Sequence, residues 1–372
     1  MSLSEKAKLV QVSTSLNLKL GGPPTVVIAT TKAFKNTFDI CTIVFGEFVT
    51  EDENYRIEQT TFNNMFGLKL KLPSSESREI LKNADILLLH GFYLYSNLIS
   101  IFFTRTNKIF LMPHGSLEMY QEKRSKNRKR LYRILLRLIL RKRPVVFIVA
   151  SNSESKSVRA IFPKSRIEVV NLGIHPGSHG LEKSTTNTGP IVLYCMSRIS
   201  HIKRIDLCIE ALALLNSREK RYCLKIFGSG DRDLEKNLQD LLNKLGLSYC
   251  VEFIGFVDGE AKDIAIRNSD ILLLPSENES FALAVAEAIA AGNPVVVSKN
   301  VAMHEFVDKH QTGITITSLN ARDLAQSIED VVRDYDKYRE NCIKVRNKLY
   351  WDEVIKRWIE VLTEDGDSNE IE

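Results

Sequence analysis

Two carboxylates, Glu279 and Glu287, stand eight residues apart in "ENESFALAVAEAIAAG", a stretch otherwise nearly free of charge. A buried carboxylate has to be paired or hydrogen-bonded, so both need donors from elsewhere. The apolar run "DILLLP" ends at Pro275, Ser280 is placed to cap a helix through "FALAVAEAIAA", and Gly292 is placed to stop it. At ~1.5 Å of rise per residue Glu287 lies about two turns in, which separates the carboxylates by on the order of 10 Å. A polyhydroxylated ligand with a sugar at one end and a ribose at the other could supply donors to both, its phosphates lying at the free helix amides beside Glu279. The plain alternative is a helix-start acid and a structural salt bridge, each common taken singly.

Cations accompany them. In "YCMSRISHIKRIDLCIEALALL", Arg198 and Lys203 sit at the head of an amphipathic helix, where positive charge opposes the helix dipole unless an anion lies among them. Gly21 and Gly22 in "LGGPP" precede a helix that Pro23 or Pro24 can start, and Gly228 closes an apolar run in "KIFGSGDRD". Neither glycine pattern is specific by itself. The six cysteines are scattered, with no CxxC pair and no clustered histidines, so neither a disulfide framework nor a metal site is expected.

The elements that must position these residues follow from the apolar runs. Strands are expected at "KLVQVST", "DICTIV", "ADILLLHG", "KIFLMPHG", "VVFIVAS" and "IEVVNLG", then at "PIVLYCMS", "CLKIFGSG", "VEFIGFV", "DILLLPS", "NPVVVSKN" and "GITIT". Each precedes a segment of helical period, the pattern of parallel sheets covered by helices on both faces. A chain of 372 residues suits two domains. We divide it into 1–172, a Gly/Pro/Ser/Thr-rich linker at 173–190, a second domain at 191–345, a helix at 346–364 and an acidic tail at 365–372. Every candidate motif falls at a strand end, where open α/β sheets bind ligands.

The ordered set resembles the retaining glycosyltransferases of family 4, which have the GT-B fold of two Rossmann-like, doubly wound parallel-sheet domains facing across a cleft. The matching pieces are Arg198 and Lys203, "FGSG", "FIGFV", "SDILLLPSENESFALAVAEAIAAGNPVVVS" and "HEFVDKHQTG" with Glu305. In the first half, "LGGPP", "MPHGSLE" and "SNSESKSVRAIFPKSRIEVVNLGI" are similar to the family's glycine loop, His-Gly segment and entry to the linker.

The resemblance implies an N-terminal acceptor-side domain, a C-terminal nucleotide-sugar domain and a last helix packing back toward the first. Arg198 and Lys203 would neutralise the donor diphosphate, Glu279 would contact the donor sugar, Glu287 the ribose, and His114 would lie near the reacting sugar. Catalysis would fall to Glu279, His114, Arg198 and Lys203. Donor binding would fall to Gly22, Arg198, Lys203, Gly228, Phe256, Val257, Ser280, Phe281, Ala282, Leu283 and Glu287. It also implies a hexosyltransferase needing no metal and no cofactor, the nucleotide sugar being a substrate with UDP preferred to GDP. The acceptor would be a glycan or lipid-linked saccharide of surface polysaccharide or glycolipid synthesis. Three positions depart from the pattern: Ser197, Arg204 and Ala282 stand where the family has glycine. A positive φ at any of them would be strained. They motivate the alternative of a degenerate scaffold or nucleotide-sugar-binding subunit; an epimerase of the same fold is disfavoured by the two-glutamate block.

Residues 123–143 carry eleven Lys/Arg and no Asp/Glu, with an apolar stripe at Leu131, Ile134, Leu135, Leu138 and Ile139. We expect the stripe to pack on the first sheet and the basic face to lie near an anionic membrane. Nucleic acid is not an expected partner, because no aromatic interleaving accompanies the charge. With no signal-like start and no apolar span of bilayer length, the expected location is cytoplasmic, membrane-associated on the cytoplasmic face.

Overall fold

The computed structural model describes residues 6–18, 21–46, 57–59, 62–65, 68–71, 73–117, 126–176, 189–218 and 221–364. Most of the linker, the acidic tail and residues 123–125 lie outside them. The chain forms two compact units, Met1–Gly173 with Val354–Glu372, and Ile174–Glu353.

The first unit contains β1 (Lys8–Ser13), β2 (Asp39–Val44), β3 (Ile57–Gln59), β4 (Phe62–Met65), β5 (Leu68–Lys71), β6 (Ile86–His90), β7 (Ile109–Met112), β8 (Val145–Val149) and β9 (Ile167–Val169). Seven of them form a sheet in the order β3-β2-β1-β6-β7-β8-β9, parallel at each junction, while β4 and β5 pair antiparallel as a separate two-stranded sheet. β6 and β7 are buried at every position, as strands covered on both faces must be. From Val354 onward the helix Trp351–Thr363 packs into this unit: Trp358 is fully buried, its ring 5.6 Å from that of Phe34 and its indole N–H donating to Asn171 O at 2.9 Å. A buried Trp of this kind contributes about 3–5 kcal/mol.

The second unit has β10 (Ile191–Met196), β11 (Tyr222–Phe227), β12 (Val251–Gly255), β13 (Ile271–Leu274), β14 (Val295–Ser298) and β15 (Gly313–Ile316), all parallel, in the order β12-β11-β10-β13-β14-β15. In both sheets the order reverses at the first strand, next to β6 in one and β13 in the other. That junction opens a crevice at the strands' carboxyl ends, and the candidate residues cluster there. All the expected strands are present. β3, β4 and β5 were not expected, because "IEQ", "FNNM" and "LKLK" lack an apolar run.

Candidate functional site

In the second unit Lys203 ends a short turn, His201–Lys203, after β10, and its ammonium pairs with the Glu279 carboxylate. Both side chains are largely buried, 11% and 20% exposed. The loops that carry them are joined, since Glu277 N donates to Ile202 O at 2.7 Å. Glu279 is held in turn by the loop after β14: its N–H donates to Asn300 O at 3.1 Å, and its carbonyl accepts from Ala302 N at 3.0 Å. Burial, and then the charge of Arg198, pull Lys203 down to about 7, while contact with Glu279 acts in the opposite sense. Arg198 is exposed. Arg198 lies close enough to Lys203 to act on it electrostatically, and the neighbouring Arg204 pairs with Asp206 and Glu277, so among these described side chains three cations face three carboxylates.

The helix after Glu279 runs Leu283–Ala290, two residues later than a Ser280 cap requires. Ala282 occupies the cap in the left-handed region (φ 72, ψ 71), which stops the helix from reaching Ser280. No side chain caps this end and its first turn has no acid; Val285 N donates to Ala282 O at 2.9 Å, which leaves the amides of Leu283 and Ala284 for an anion. Phe281 is buried and Leu283 half-buried. Glu287 pairs with Lys262 at 2.6 Å. Both carboxylates therefore have a lysine partner, and Lys262 is one that sequence reasoning missed. Phe256 is exposed and Val257 half-buried beyond the end of β12. Gly255 O accepts from Gly228 N at 2.7 Å, which ties that end to β11.

The glycines separate by cause. Gly228 has φ 128, and a Cβ there would stand 1.9 Å from Ser197 O, so its role is to let the loop after β11 lie against the Arg198 loop. Gly21, with φ 100, is the residue the first turn needs. Gly22 has nothing within 4 Å of a built Cβ. Of the three departures from the family glycines, Ser197 is absent from the positive-φ residues, whereas Arg204 (φ 52) and Ala282 (φ 72) are among them. Arg204 offsets its strain by pairing with Asp206 at 2.9 Å and Glu277 at 3.4 Å; Ala282 has no such compensation. Ala282→Gly should therefore stabilise the second unit by about 1 kcal/mol, raising its melting temperature by roughly 2–4 °C. A thermal melt showing no rise would mean that the left-handed turn is not kept in solution.

In the first unit His114 follows β7 with φ 52. Its Nε2 lies 3.0 Å from Nδ1 of His90, the last residue of β6, and Nε2 of His90 lies 2.9 Å from Oε1 of the buried Gln11 in β1. The next residue, Gly115, donates its N–H to Glu154 at 2.6 Å, and that carboxylate also accepts from Ala150 N at 3.0 Å. Burial raises the Glu154 pKa, and these two amides oppose the rise. Burial lowers His114 to about 4 and, with His114 as a lesser cause, drives His90 well below its usual value, so both rings are neutral at pH 7. Sequence reasoning missed His90, Gln11 and Glu154. Signals existed: "LLLHG" repeats the strand-end His-Gly of "LMPHG", and Gln11 is a polar residue inside an otherwise apolar strand.

The helix Lys126–Leu140 corrects an expectation. Tyr132 and Leu136 face the core with Ile139 half-buried, whereas Leu131, Ile134, Leu135 and Leu138 are exposed, Leu131 by 59%. The stripe was misassigned because Tyr132 was not counted among the packing residues. At ~100° per residue the core face and exposed stripe are centred roughly 120° apart, with Arg130, Arg133, Arg137 and Arg141 filling the third sector. Among the described residues no helix is long and apolar enough to cross a membrane. None of their His, Cys, Asp and Glu side chains form a group of three or more that could hold a metal ion.

Residues 181–348 match the family model of glycosyl transferases group 1. An uncharacterized glycosyltransferase of Methanocaldococcus jannaschii is 28% identical over 233 residues, 58% of this chain and 58% of that protein. An amylovoran biosynthesis glycosyltransferase of Erwinia amylovora is 28% identical over 169 residues, 44% of this chain and 41% of that one. The chain thus spans about half the length of these curated relatives. Among solved structures, Anabaena HepE in complex with UDP and glucose superposes with a TM-score of 0.78 at 18% identity, covering 96% of this chain and 100% of that one. The fold is that of GT-B proteins, and the matched model supports a glycosyltransferase.

Proposed function

We propose that the chain is a retaining, metal-independent hexosyltransferase. It moves a hexose from a nucleotide-diphosphate sugar, UDP in preference to GDP, to a glycan or lipid-linked saccharide in surface polysaccharide or glycolipid synthesis. The observation that carries this is the largely buried Lys203–Glu279 pair, with Arg198 near Lys203, beside an uncapped helix start. In the transfer the bond from sugar C1 to the diphosphate oxygen breaks and a bond from the acceptor hydroxyl oxygen to C1 forms. The hydroxyl proton leaves with the departing diphosphate on the same face. Charge then accumulates on the diphosphate, where Arg198, Lys203 and the first amides of helix Leu283–Ala290 would stabilise it. Glu279 would orient the sugar and Glu287 the ribose, with residues 191–345 holding the donor and 1–172 the acceptor. The preference for UDP draws on the UDP and glucose bound by the structurally similar Anabaena protein. The acceptor class draws on the name of the Erwinia relative.

The test is a thermal-shift panel with UDP, GDP, ADP and dTDP, because a ligand bound only by the folded state raises the melting temperature by mass action. UDP is expected to shift it and the others to shift it less. No shift from any at millimolar concentration would overturn the reading. Binding without turnover of UDP-hexoses would favour the scaffold alternative, which the strain at Arg204 and Ala282 motivates.

The acceptor side of the proposal includes the cytoplasmic face of an anionic membrane, reached through the exposed stripe of Lys126–Leu140 and its arginines. Each cation near such a surface contributes ~1 kcal/mol. The protein should co-sediment with phosphatidylglycerol vesicles and not with phosphatidylcholine. Replacing Leu131, Leu135 and Leu138 together by Gln should release it without unfolding, since these side chains face away from the core. Equal behaviour toward both lipids would count against the membrane contact.

A further inference from the structure

The carboxyl ends of β1, β6 and β7 hold a buried chain of polar groups that no sugar contact requires. Gln11 Nε2 donates to Thr31 Oγ1 at 2.8 Å; both threonine hydroxyls also reach backbone acceptors of their own helix, Thr31 to Val27 O at 2.8 Å and Thr30 to Val26 O at 2.9 Å. With its Nε2 on Thr31, Gln11 turns Oε1 toward Thr30 Oγ1, at 2.7 Å, and His90 Nε2, at 2.9 Å. An amide oxygen only accepts, so His90 must carry its proton on Nε2. A neutral ring protonated there has a bare Nδ1, and this atom lies 3.0 Å from His114 Nε2. His114 must then carry its proton on Nε2 and leave Nδ1 unprotonated. Among the described residues nothing bonds to that Nδ1. The backbone is held as firmly as the ring: Glu154 clamps the Gly115 N–H, and left-handed angles recur at Tyr93, His114, Gly91 and Gly115 around the same strand ends. Such strain persists only where the surroundings over-determine it.

We infer that Gln11 and His90 are positioning residues that lock His114 into the Nε2–H tautomer, presenting Nδ1 as a fixed hydrogen-bond acceptor for a ligand hydroxyl. The transferase reading supplies the identity of that hydroxyl as one on a sugar; the relay itself does not depend on it. The polarity selects a chemical class. An acceptor lone pair complements a hydroxyl and repels a phosphate oxygen, which also only accepts. Binding a phosphate here would need a cationic His114, and burial opposes that charge. The first unit would therefore recognise hydroxyls, while the cations of the second recognise phosphate.

The test reads the protons directly. In protein labelled with ¹⁵N at its seven histidines, long-range ¹H–¹⁵N correlation identifies which ring nitrogen is protonated, with His90→Asn and His114→Asn assigning the signals. Both rings are expected neutral at pH 7, each protonated on Nε2. A proton on His114 Nδ1, or averaging between tautomers, would overturn the inference, because Gln11 would then be oriented the other way or hold nothing.

Gln11→Leu removes the acceptor at the end of the chain. It should release His114 into mixed tautomers and lower kcat about 10- to 100-fold, as small misplacements of aligned groups do, with KM for the donor nearly unchanged. A merely structural Gln11 would change the melting temperature and leave the tautomer alone, and that result would remove it as a positioning residue. The expected tautomers in a protein that transfers no sugar would leave the relay standing and overturn the transferase reading instead.

Discussion

Lys203→Ala is expected to weaken UDP-sugar binding and transfer by about 10²- to 10³-fold, the range seen when a preorganised donor to developing charge is removed. Two effects add. The diphosphate loses its most buried cation, and Glu279 is left as a largely buried carboxylate without the ion pair that holds it. Removing one member of a fully buried pair costs about 3–5 kcal/mol; with each partner partly exposed, about 2 kcal/mol of folding stability is expected here. Adding Glu279→Gln should recover part of that stability and none of the affinity, a coupling that a double-mutant cycle isolates. The pH dependence has a definite sign. In the free protein burial and Arg198 hold Lys203 near 7, whereas a bound diphosphate favours the charged form and raises its pKa. Binding must then take up a proton, and affinity falls as pH climbs above about 7. Calorimetry between pH 6 and 9 in buffers of different ionisation enthalpy measures both. Affinity unchanged in Lys203→Ala would mean that the diphosphate lies elsewhere.

The strands and their parallel arrangement were legible because short apolar runs such as "DILLLP" and "ADILLLHG", each followed by a segment of helical period, suit strands buried on both faces. The short strands β3, β4 and β5 were not, since their pairing is set by position and not by their own composition. Helix Lys126–Leu140 shows the limit of periodicity: a stripe at i, i+3, i+4 and i+7 identifies a helix but not which face meets the core. With Tyr132 and Leu136 on a second apolar face, the pattern had two solutions and the sheet took the one with the aromatic.

At the site, residue types were legible and partners were not. Arg198, Lys203 and Glu279 stood out as charges in apolar surroundings, yet Lys262 became visible only when helix Gly259–Arg267 was placed beside Glu287. The Ser280 cap failed because Ser is a good cap by type, while the backbone at Ala282 had already left the helical region. The His114 relay includes a hydrogen bond between residues 79 positions apart, a separation no local spacing encodes.

Gly228→Ala is the second large effect, and Gly22→Ala is its control. At Gly228 the added methyl group meets backbone, Ser197 O at 1.9 Å and Ser197 C at 2.9 Å, in a conformation of φ 128 that side chains disfavour. Neither neighbour is the tip of a flexible side chain, so relief requires moving the segment that carries Arg198. Overpacking and φ strain each cost 1–3 kcal/mol, so a loss of about 3 kcal/mol and roughly 6–12 °C in melting temperature is expected, with donor binding reduced further by displacement of Arg198. At Gly22 the same methyl group meets nothing within 4 Å, and stability should stay within about 0.5 kcal/mol. Any fall in kcat/KM there would report a ligand approaching the helix start that the chain itself does not crowd. If Gly22→Ala changed neither stability nor kinetics, that helix start would carry no ligand and Gly22 would leave the candidate site. If Gly228→Ala melted like the wild type, the loops after β10 and β11 would not lie against one another, and the placement of Arg198 beside Lys203 would lose its structural basis.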